Sequence, residues 1–208
     1  MVTIADFHNA FLEAEAEIKF AELSIDSLAS VEDEDCASVY QPRGVVIPAI
    51  NELRYAAKHL SCAMQDNVTE EYRSEQLHRA IRHCIRARLD ALRAVVLFFA
   101  RDFYRFSDDY RLLDITVEDR ERLNAHRRKI RDVLSSLSKD HSQSTSDDCE
   151  KLKASIEELY GVYLDVSRFR GKFNQLLAKM NKHDKTSTWQ WTVGIILAIV
   201  LALIALFR

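Results

Sequence analysis

The chain has 208 residues, 48% of them apolar, and a formal net charge of -3. Only four glycines and two prolines are present, too few for the turns of a sandwich, a barrel or a doubly wound sheet, so the composition predicts an all-α domain. The negative net charge excludes a general attraction to nucleic acid, and any such binding would need a local basic patch.

The cysteines and the known catalytic motifs exclude several further classes. The four cysteines, Cys36, Cys62, Cys84 and Cys149, show no CxxC spacing, which predicts reduced thiols rather than a disulfide framework or a metal site. The sequence contains no GxxxxGK[ST], GxGxxG, HExxH or GxSxG motif. We therefore expect no cofactor, no bound metal and no nucleotide-hydrolysing or protease activity.

Two helices are predicted before residue 65. In the first, apolar residues alternate in steps of three and four, at Ile4, Phe7, Phe11, Ala14, Ile18, Ala21, Ile25 and Leu28, which predicts one buried seam. Residues 30–45 are predicted to form a loop, and the second helix begins near Pro48. Its predicted inward residues are Ile50, Leu53, Ala57, Leu60 and Met64, which places His59 on the far side and Arg54 at the border.

The third predicted helix is the longest and most apolar. Thr69 can cap it, it runs to about Phe106, and its buried stripe is predicted to hold Leu77, Ile81, Cys84, Leu92, Val95, Phe99 and Phe103. Arg88 lies near the centre of this stripe, so we expect a carboxylate from another helix to meet it, as a structural ion pair or as a ligand or interface contact. His78 lies within about 50° of the stripe and is either a hydrogen-bonded core histidine or a functional residue.

The opposite face of the third helix is the most basic patch that the sequence predicts. It holds Arg79, Arg82, His83, Arg86 and Arg93, and Asp90 interrupts it. This face is either simply solvated or a site for RNA, a nucleotide or acidic lipid headgroups. Aromatic residues do not interleave it, so it offers no obvious platform for stacking bases.

A fourth helix is predicted from a Thr116 cap to about Leu137, with Leu123, Ile130, Val133 and Leu137 inward. The polar stretch SKDHSQSTSDD is predicted to form a linker or an exposed loop. A fifth helix follows from about Cys149 to Asn181, and its residues at heptad spacing are Leu152, Ile156, Leu159, Tyr163, Val166, Arg170, Phe173, Leu177 and Met180.

The C-terminal residues predict a membrane anchor. Residues 191–207 carry no charge and as a helix would cover ~26 Å, near the lower limit for crossing the hydrocarbon core. Trp189 and Trp191 mark one edge, and the preceding lysines place the main domain in the cytoplasm, with a bacterial inner membrane as the expected location. A stripe of Gly194, Ala198 and Ala202 would let such helices pack closely. The N-terminus lacks the features of a signal peptide.

These patterns divide the chain into a cytosolic helical bundle at residues 1–182, a short linker at 183–189 and a transmembrane anchor at 190–208. The fold class predicted is therefore an all-α bundle of about five helices with a C-terminal transmembrane helix. The anchor and the two heptad seams, in the first and fifth helices, further predict that the protein forms a homo-oligomer at the membrane.

Two stretches, RYAAKH and RSEQLH, contain an arginine followed five residues later by a histidine: Arg54 with His59, and Arg73 with His78. In this pattern the chain resembles the HEPN superfamily, helical bundles of prokaryotic defence systems whose ribonuclease members carry such motifs. The resemblance implies metal-independent RNA cleavage through the 2'-hydroxyl, in which histidine moves protons and arginine stabilises the phosphate. In that family two protomers usually bring their motifs together, and residues five apart on one helix do not face the same phosphate.

With its predicted anchor, the chain also looks like the small membrane-anchored accessory proteins of prokaryotic antiviral loci, including those beside type VI-B CRISPR nucleases. The resemblance implies a defence effector that self-associates and perturbs the membrane without being an enzyme. A membrane-tethered HEPN-type ribonuclease is the second hypothesis. The third is a tail-anchored tether or adaptor whose bundle binds another protein.

Overall fold

The computed structural model describes residues 2–29, 46–111, 113–137 and 145–206, and the side chains of all of these except 27–29 and 181–206. This part of the chain contains five helices and no strand. The helices are α1 (Ile4–Ala29), α2 (Ile47–Ala63), α3 (Glu70–Asp109), α4 (Val117–Leu137) and α5 (Ser146–Leu206). The prediction of an all-α protein with about five helices is confirmed.

Threonine caps begin α3 and α4, as predicted. The Thr69 hydroxyl accepts a hydrogen bond from the backbone N–H of Tyr72 at 3.2 Å, and that of Thr116 accepts one from the N–H of Asp119 at 3.2 Å. A helix leaves its first four N–H groups without intrahelical partners, and each cap satisfies one of them.

Two further threonine caps were missed from the sequence. The Asp6 N–H donates to the Thr3 hydroxyl at 3.2 Å, and the Asp6 carboxylate accepts from the Thr3 N–H at 2.8 Å. The Asp148 carboxylate accepts likewise from the N–H of Thr145 at 2.9 Å. The last three residues of the predicted linker SKDHSQSTSDD therefore form the start of α5, with Thr145 before them as the cap, so the helix begins at Ser146 and not near residue 149.

Helix α3 is the central element of the bundle. It has 40 residues, a length of ~60 Å, and it packs against all four other helices. In its middle, residues on most sides are buried, including Leu89, Ala91 and Ala94, while the face with Arg86, Asp90 and Arg93 stays partly exposed. Apolar side chains from α1, α4 and α5 pack around it, so burial of the α3 surface organises the core.

The predicted inward face of α2 is only partly correct: Leu53 and Leu60 pack against the core, but the main contact line lies to one side of them. Ala49, Ala56 and Ala63 are buried, whereas Ile50 is 43% exposed and Met64 is 64% exposed. Alanines at heptad spacing let the backbone of α2 approach α3 closely, so the small residues and not the large ones form the contact line. The rotation moves His59 from the predicted far side to the border with α3.

Most residues of the predicted seams of α1 and α5 are buried inside the bundle, but Ile4 and Met180, at the outer ends of the two seams, are 55% and 46% exposed. In α1 the buried seam residues are Phe7, Ala14, Ile18, Ala21 and Ile25, and in α5 they are Leu152, Ile156, Leu159, Tyr163, Val166 and Phe173. Arg170 of the α5 seam pairs with the buried Asp102 of α3 and lies over the Phe106 ring. Since both seams pack within one chain, neither supplies a surface for self-association.

Helix α5 continues without a break through the predicted linker at residues 183–189 and ends at Leu206. No glycine or proline lies between Gly171 and Gly194, so nothing in this stretch stops the helix. Within the described part of the chain, no helix combines the length and the apolar character that crossing a membrane requires. The predicted anchor at 190–208, with Gly194, Ala198 and Ala202, lies where side chains are outside the described residues.

Candidate functional site

A pair of stacked histidines lies between α2 and α3. The rings of His59 and His83 are 5.2 Å apart between centroids and inclined by only 15°. The ring of Tyr55, one turn before His59, lies 5.5 Å from that of His83 between centroids. Two imidazoles are thus held in contact at the edge of the bundle, where both are partly exposed.

The Nδ1 atom of each ring has a partner on the opposite helix. His83 Nδ1 lies 2.7 Å from the Glu52 carboxylate, and His59 Nδ1 lies 2.7 Å from the Gln76 side-chain oxygen. Both acceptors are oxygens, so Nδ1 of each neutral ring carries the proton and Nε2 is left as the basic atom. Among the described residues, neither Nε2 atom has a hydrogen-bond partner.

This arrangement can move protons. One neutral imidazole with a free Nε2 can act as a general base and a protonated one as a general acid, and the two rings lie close enough to serve the same ligand. The Glu52 carboxylate orients His83 and becomes an ion-pair partner when that ring is protonated. At this pair and throughout the described residues, no three His, Cys, Asp or Glu side chains converge in a geometry that could hold a metal ion.

The structure separates the four residues of the predicted motifs. His59 joins the pair described above, but Arg54 is exposed on the outer side of α2. Arg73 makes a 3.9 Å ion pair with Glu70 on its own helix. His78 is exposed and not a core residue, and its Nδ1 lies 2.9 Å from the Ser74 carbonyl oxygen. No described contact joins either arginine to a histidine.

Carboxylates partly neutralise the predicted basic face of α3. Arg79 pairs with Glu75, and Arg93 pairs with Asp90 at 3.1 Å. His83 contacts Glu52, as above. Arg82 and Arg86 remain without an ion-pair partner among the described residues, and they lie beside the histidine pair on α3. They are the cations best placed to hold an anionic group next to the rings.

Arg88 has the partners that the sequence predicted it would need. Its guanidinium contacts Glu13 and Glu17 of α1, the latter at 3.8 Å, and Glu150 of α5 at 3.4 Å. Lys153 also pairs with Glu17, and this hydrogen bond raises the pKa of the lysine. The cluster ties α1, α3 and α5 together, so Arg88 is a structural ion pair rather than a ligand contact.

Two buried cysteines beside these helices are unreactive. Burial raises the pKa of the Cys84 thiol and that of the Cys149 thiol to about 11, so both are protonated at neutral pH. Cys62 is partly exposed, and all three are free thiols. Cys36 lies outside the described residues.

Sequence reasoning missed Glu52 and Gln76, the partners of the histidine pair. A signal for them exists: Glu52 and His59 are seven residues apart on α2, and Gln76 and His83 are seven apart on α3. Polar residues at the same heptad spacing on two consecutive helices can meet when the helices pack antiparallel. Once α2 is rotated as the structure shows, the two pairs lie opposite each other.

Comparisons with models of protein families, with curated proteins and with solved structures found no match to this chain. The likeness to the HEPN superfamily therefore stays a prediction made from two short motifs. Function has to be inferred from the helices, the histidine pair and the charges described above.

Proposed function

We propose that this protein is a single-pass, tail-anchored membrane protein that acts as an oligomer at the membrane, as a non-enzymatic effector or accessory of the kind found in antiviral loci. The observation that carries the proposal is the continuity of α5. One helix of 61 residues, ~92 Å long, begins at Ser146, enters the bundle core at Leu152 and ends at Leu206, within the uncharged stretch 191–207. A change in the bundle would be transmitted along this helix to its apolar end.

Self-association needs a surface other than the two buried seams, and α1 offers one. Its outer face carries a row of apolar side chains opposite the core: Leu12 is 47% exposed, Phe20 is 43% exposed and Leu23 is 60% exposed. Large apolar residues aligned on one helix face are typical of an interface. A second copy of the chain is the proposed partner, because anchored copies in one bilayer are already held side by side.

The anchor is tested by membrane extraction of the full chain. Leu197→Arg with Leu201→Arg puts two charges into the apolar segment, each costing about 2.5–3.5 kcal/mol at the centre of a membrane helix. We expect the wild type to stay in the membrane pellet after alkaline washing and this variant to move to the supernatant. Thr186→Arg with Ser187→Arg adds the same charges before the proposed anchor at 190–208 and should stay in the pellet. A wild type that washes off would reject the proposed anchor.

Oligomerisation is tested by measuring the mass of the full chain in mild detergent. Leu12→Glu with Leu23→Glu should convert an oligomer into a monomer, because two carboxylates would be buried at the interface. Leu164→Glu, at an exposed apolar position on α5 (42% exposed), is the matched control and should leave the mass unchanged. A wild type that is monomeric in detergent and does not cross-link in membranes would contradict the proposal.

The histidine pair favours a second candidate, a membrane-tethered ribonuclease. His59 and His83 present two basic Nε2 atoms close together, with Arg82 and Arg86 on the same helix as His83. Cleavage of a fluorogenic RNA without added metal should then be lost in both His59→Ala and His83→Ala, while His8→Ala, on the exposed side of α1, retains it. Equal cleavage by all three variants, or none by the wild type, would leave the non-enzymatic proposal standing.

A further inference from the structure

The charges around α4 are divided between two faces. On the side toward α5, basic residues meet carboxylates: Arg122 pairs with Asp165 at 3.2 Å, Lys129 of α4 pairs with Glu158 at 3.2 Å, and Lys172 of α5 pairs with Asp119. These contacts fix α4 antiparallel to α5 and neutralise the inner flank. The basic residues on the outer flank of α4 are therefore not needed to neutralise the carboxylates between α4 and α5.

The outer flank holds four arginines, called here the arginine row: Arg120, Arg127, Arg128 and Arg131. All four are exposed, and no carboxylate among the described residues pairs with them. Steps of seven and four residues align Arg120, Arg127 and Arg131 on one side of the helix, with rises of ~10.5 Å and ~6 Å. The Arg127 side chain is fixed by a 2.7 Å hydrogen bond to the Ser107 hydroxyl of α3.

We infer that the arginine row binds the phosphate backbone of a double-stranded nucleic acid. Guanidinium groups donate paired hydrogen bonds to phosphate oxygens, and arginine is the side chain best suited to this contact. The rises of ~6 Å and ~10.5 Å between its aligned members are about two and three times the ~3.4 Å that separates the phosphates of one strand along the duplex axis. In a chain whose net charge is -3, four neighbouring unpaired arginines are a strong local exception.

The composition of the row favours a duplex over single strands and over a protein partner. No aromatic side chain lies among the four arginines, so unpaired bases would find no stacking surface. Protein interfaces have an apolar centre, and the row has no large exposed apolar side chain within it. Of the apolar residues between its members, Leu123 and Ile130 pack into the core, and Ala125 is exposed but small. Phosphate contacts without base contacts give binding that depends on salt and not on sequence.

An acidic membrane surface fits the row less well. Among the described side chains, the contact of α4 with α5 nearest the apolar segment is that of Asp119 with Lys172. Lys172 precedes Trp191 by 19 residues, or ~28 Å along the axis. Electrostatic attraction to lipid headgroups decays over about 8 Å at physiological salt. Only this exclusion of the bilayer rests on the proposed anchor; the binding of a duplex does not.

The test measures binding of fluorescein-labelled RNA and DNA duplexes to the full chain in nanodiscs of neutral phosphatidylcholine. The test variant is Arg120→Gln, Arg127→Gln, Arg131→Gln. The matched control removes three exposed lysines elsewhere: Lys19→Gln, Lys58→Gln, Lys151→Gln. We expect the arginine variant to bind at least about tenfold more weakly and to lose most of the salt dependence, since each phosphate contact contributes about one to the slope. The lysine control should bind like the wild type.

Three results would overturn the inference: the arginine variant binds as the wild type does, the lysine control loses as much affinity, or phosphatidylserine vesicles bind and neither duplex does. The two duplexes separate RNA from DNA as the source of the phosphates. Leu197→Arg with Leu201→Arg, which tests the anchor, should still bind duplex in detergent. The leucine-to-arginine variant therefore tests the anchor, and the arginine-to-glutamine variant tests duplex binding, so the two proposals can fail separately.

Discussion

Glu17 of α1 and Arg88 of α3 lie 3.8 Å apart, and neither side chain is more than 7% exposed. Replacing Arg88 by Met leaves the Glu17 carboxylate buried with Lys153 as its remaining cation, and breaking a buried pair of this kind costs about 3–5 kcal/mol. We expect Arg88→Met to lower the free energy of unfolding by an amount near the lower end of that range, measured by thermal or denaturant unfolding in mild detergent.

The control for Arg88 is Arg79→Met, which breaks the exposed pair with Glu75 on α3. Exposed pairs contribute about 0–1 kcal/mol, so this variant should unfold almost as the wild type does. If both substitutions have the same small effect, the cluster around Arg88 does not tie the three helices together as described.

His126 of α4 should make the bundle sensitive to mild acid. Burial lowers the pKa of this histidine, and the nearby Asp165 only partly opposes the effect. The unfolded chain therefore binds a proton first, and stability should fall as the pH drops below about 6.5 toward the lower folded pKa, then level off. This loss of stability should be absent when His126→Gln is unfolded at pH values between 7 and 5. The control His8→Gln, at an exposed position, should show the same loss as the wild type.

Asp119 should increase the free energy of unfolding at neutral pH and lose this effect in acid. The hydrogen bond from Lys172 lowers the pKa of this carboxyl below its ordinary value of 3.8. Its contribution is present above that value and is lost as the pH falls through the folded pKa. We expect Asp119→Asn to be less stable than the wild type at pH 7 by about 1 kcal/mol, since the lysine is half exposed. The difference should shrink as the pH falls below 3.8 and through the folded pKa.

The continuity of α5 predicts a defined distance across the former linker. Spin labels at Arg168 and Ser187, in a chain whose Cys36 and Cys62 are replaced by serine, should give one narrow distribution near ~29 Å, the length of 19 helical residues. Lys182→Pro should broaden it, because proline removes a hydrogen bond and kinks the helix. A broad distribution in the unmodified helix would show that bundle and tail move independently.

The cap of α3 gives a simpler test of local structure. Thr69→Ala removes the hydroxyl that accepts from Tyr72 and should lower the free energy of unfolding by about 1 kcal/mol. Thr69→Ser keeps the hydroxyl and should have little effect. If alanine and serine behave alike, the cap does not stabilise the bundle.

Helix positions followed from local chemistry and could be predicted. The step pattern of α1, the Thr69 and Thr116 caps and the buried seam of α5 all depend on residues close in sequence, and the structure confirms each. Arg88 was predicted to need a carboxylate because a buried guanidinium is costly alone. Which carboxylates met it could not be predicted, since Glu13 and Glu17 on one side and Glu150 on the other come from distant helices.

The predicted orientation of α2 was the main error, and it also led to the wrong position for His59 and hence for the candidate site. Large apolar residues such as Ile50 and Met64 were expected inside, but Ala56 and its neighbours face α3 because small side chains permit close packing. The prediction therefore placed His59 on the wrong side and could not pair it with His83. Contacts between helices depend on backbone approach, which composition and periodicity do not determine.

The central position of α3 also sets an order of events during synthesis. Helices α1 and α2, which precede it, both pack on it, so the first half of the core can begin to assemble once residue 109 has been made. The apolar stretch that starts at residue 191 is made about 80 residues later, or ~4–16 s at typical bacterial and eukaryotic elongation rates. A partly folded domain can thus be in place before the apolar end of the chain exists, and delivery of the proposed anchor to a bilayer would follow folding rather than compete with it.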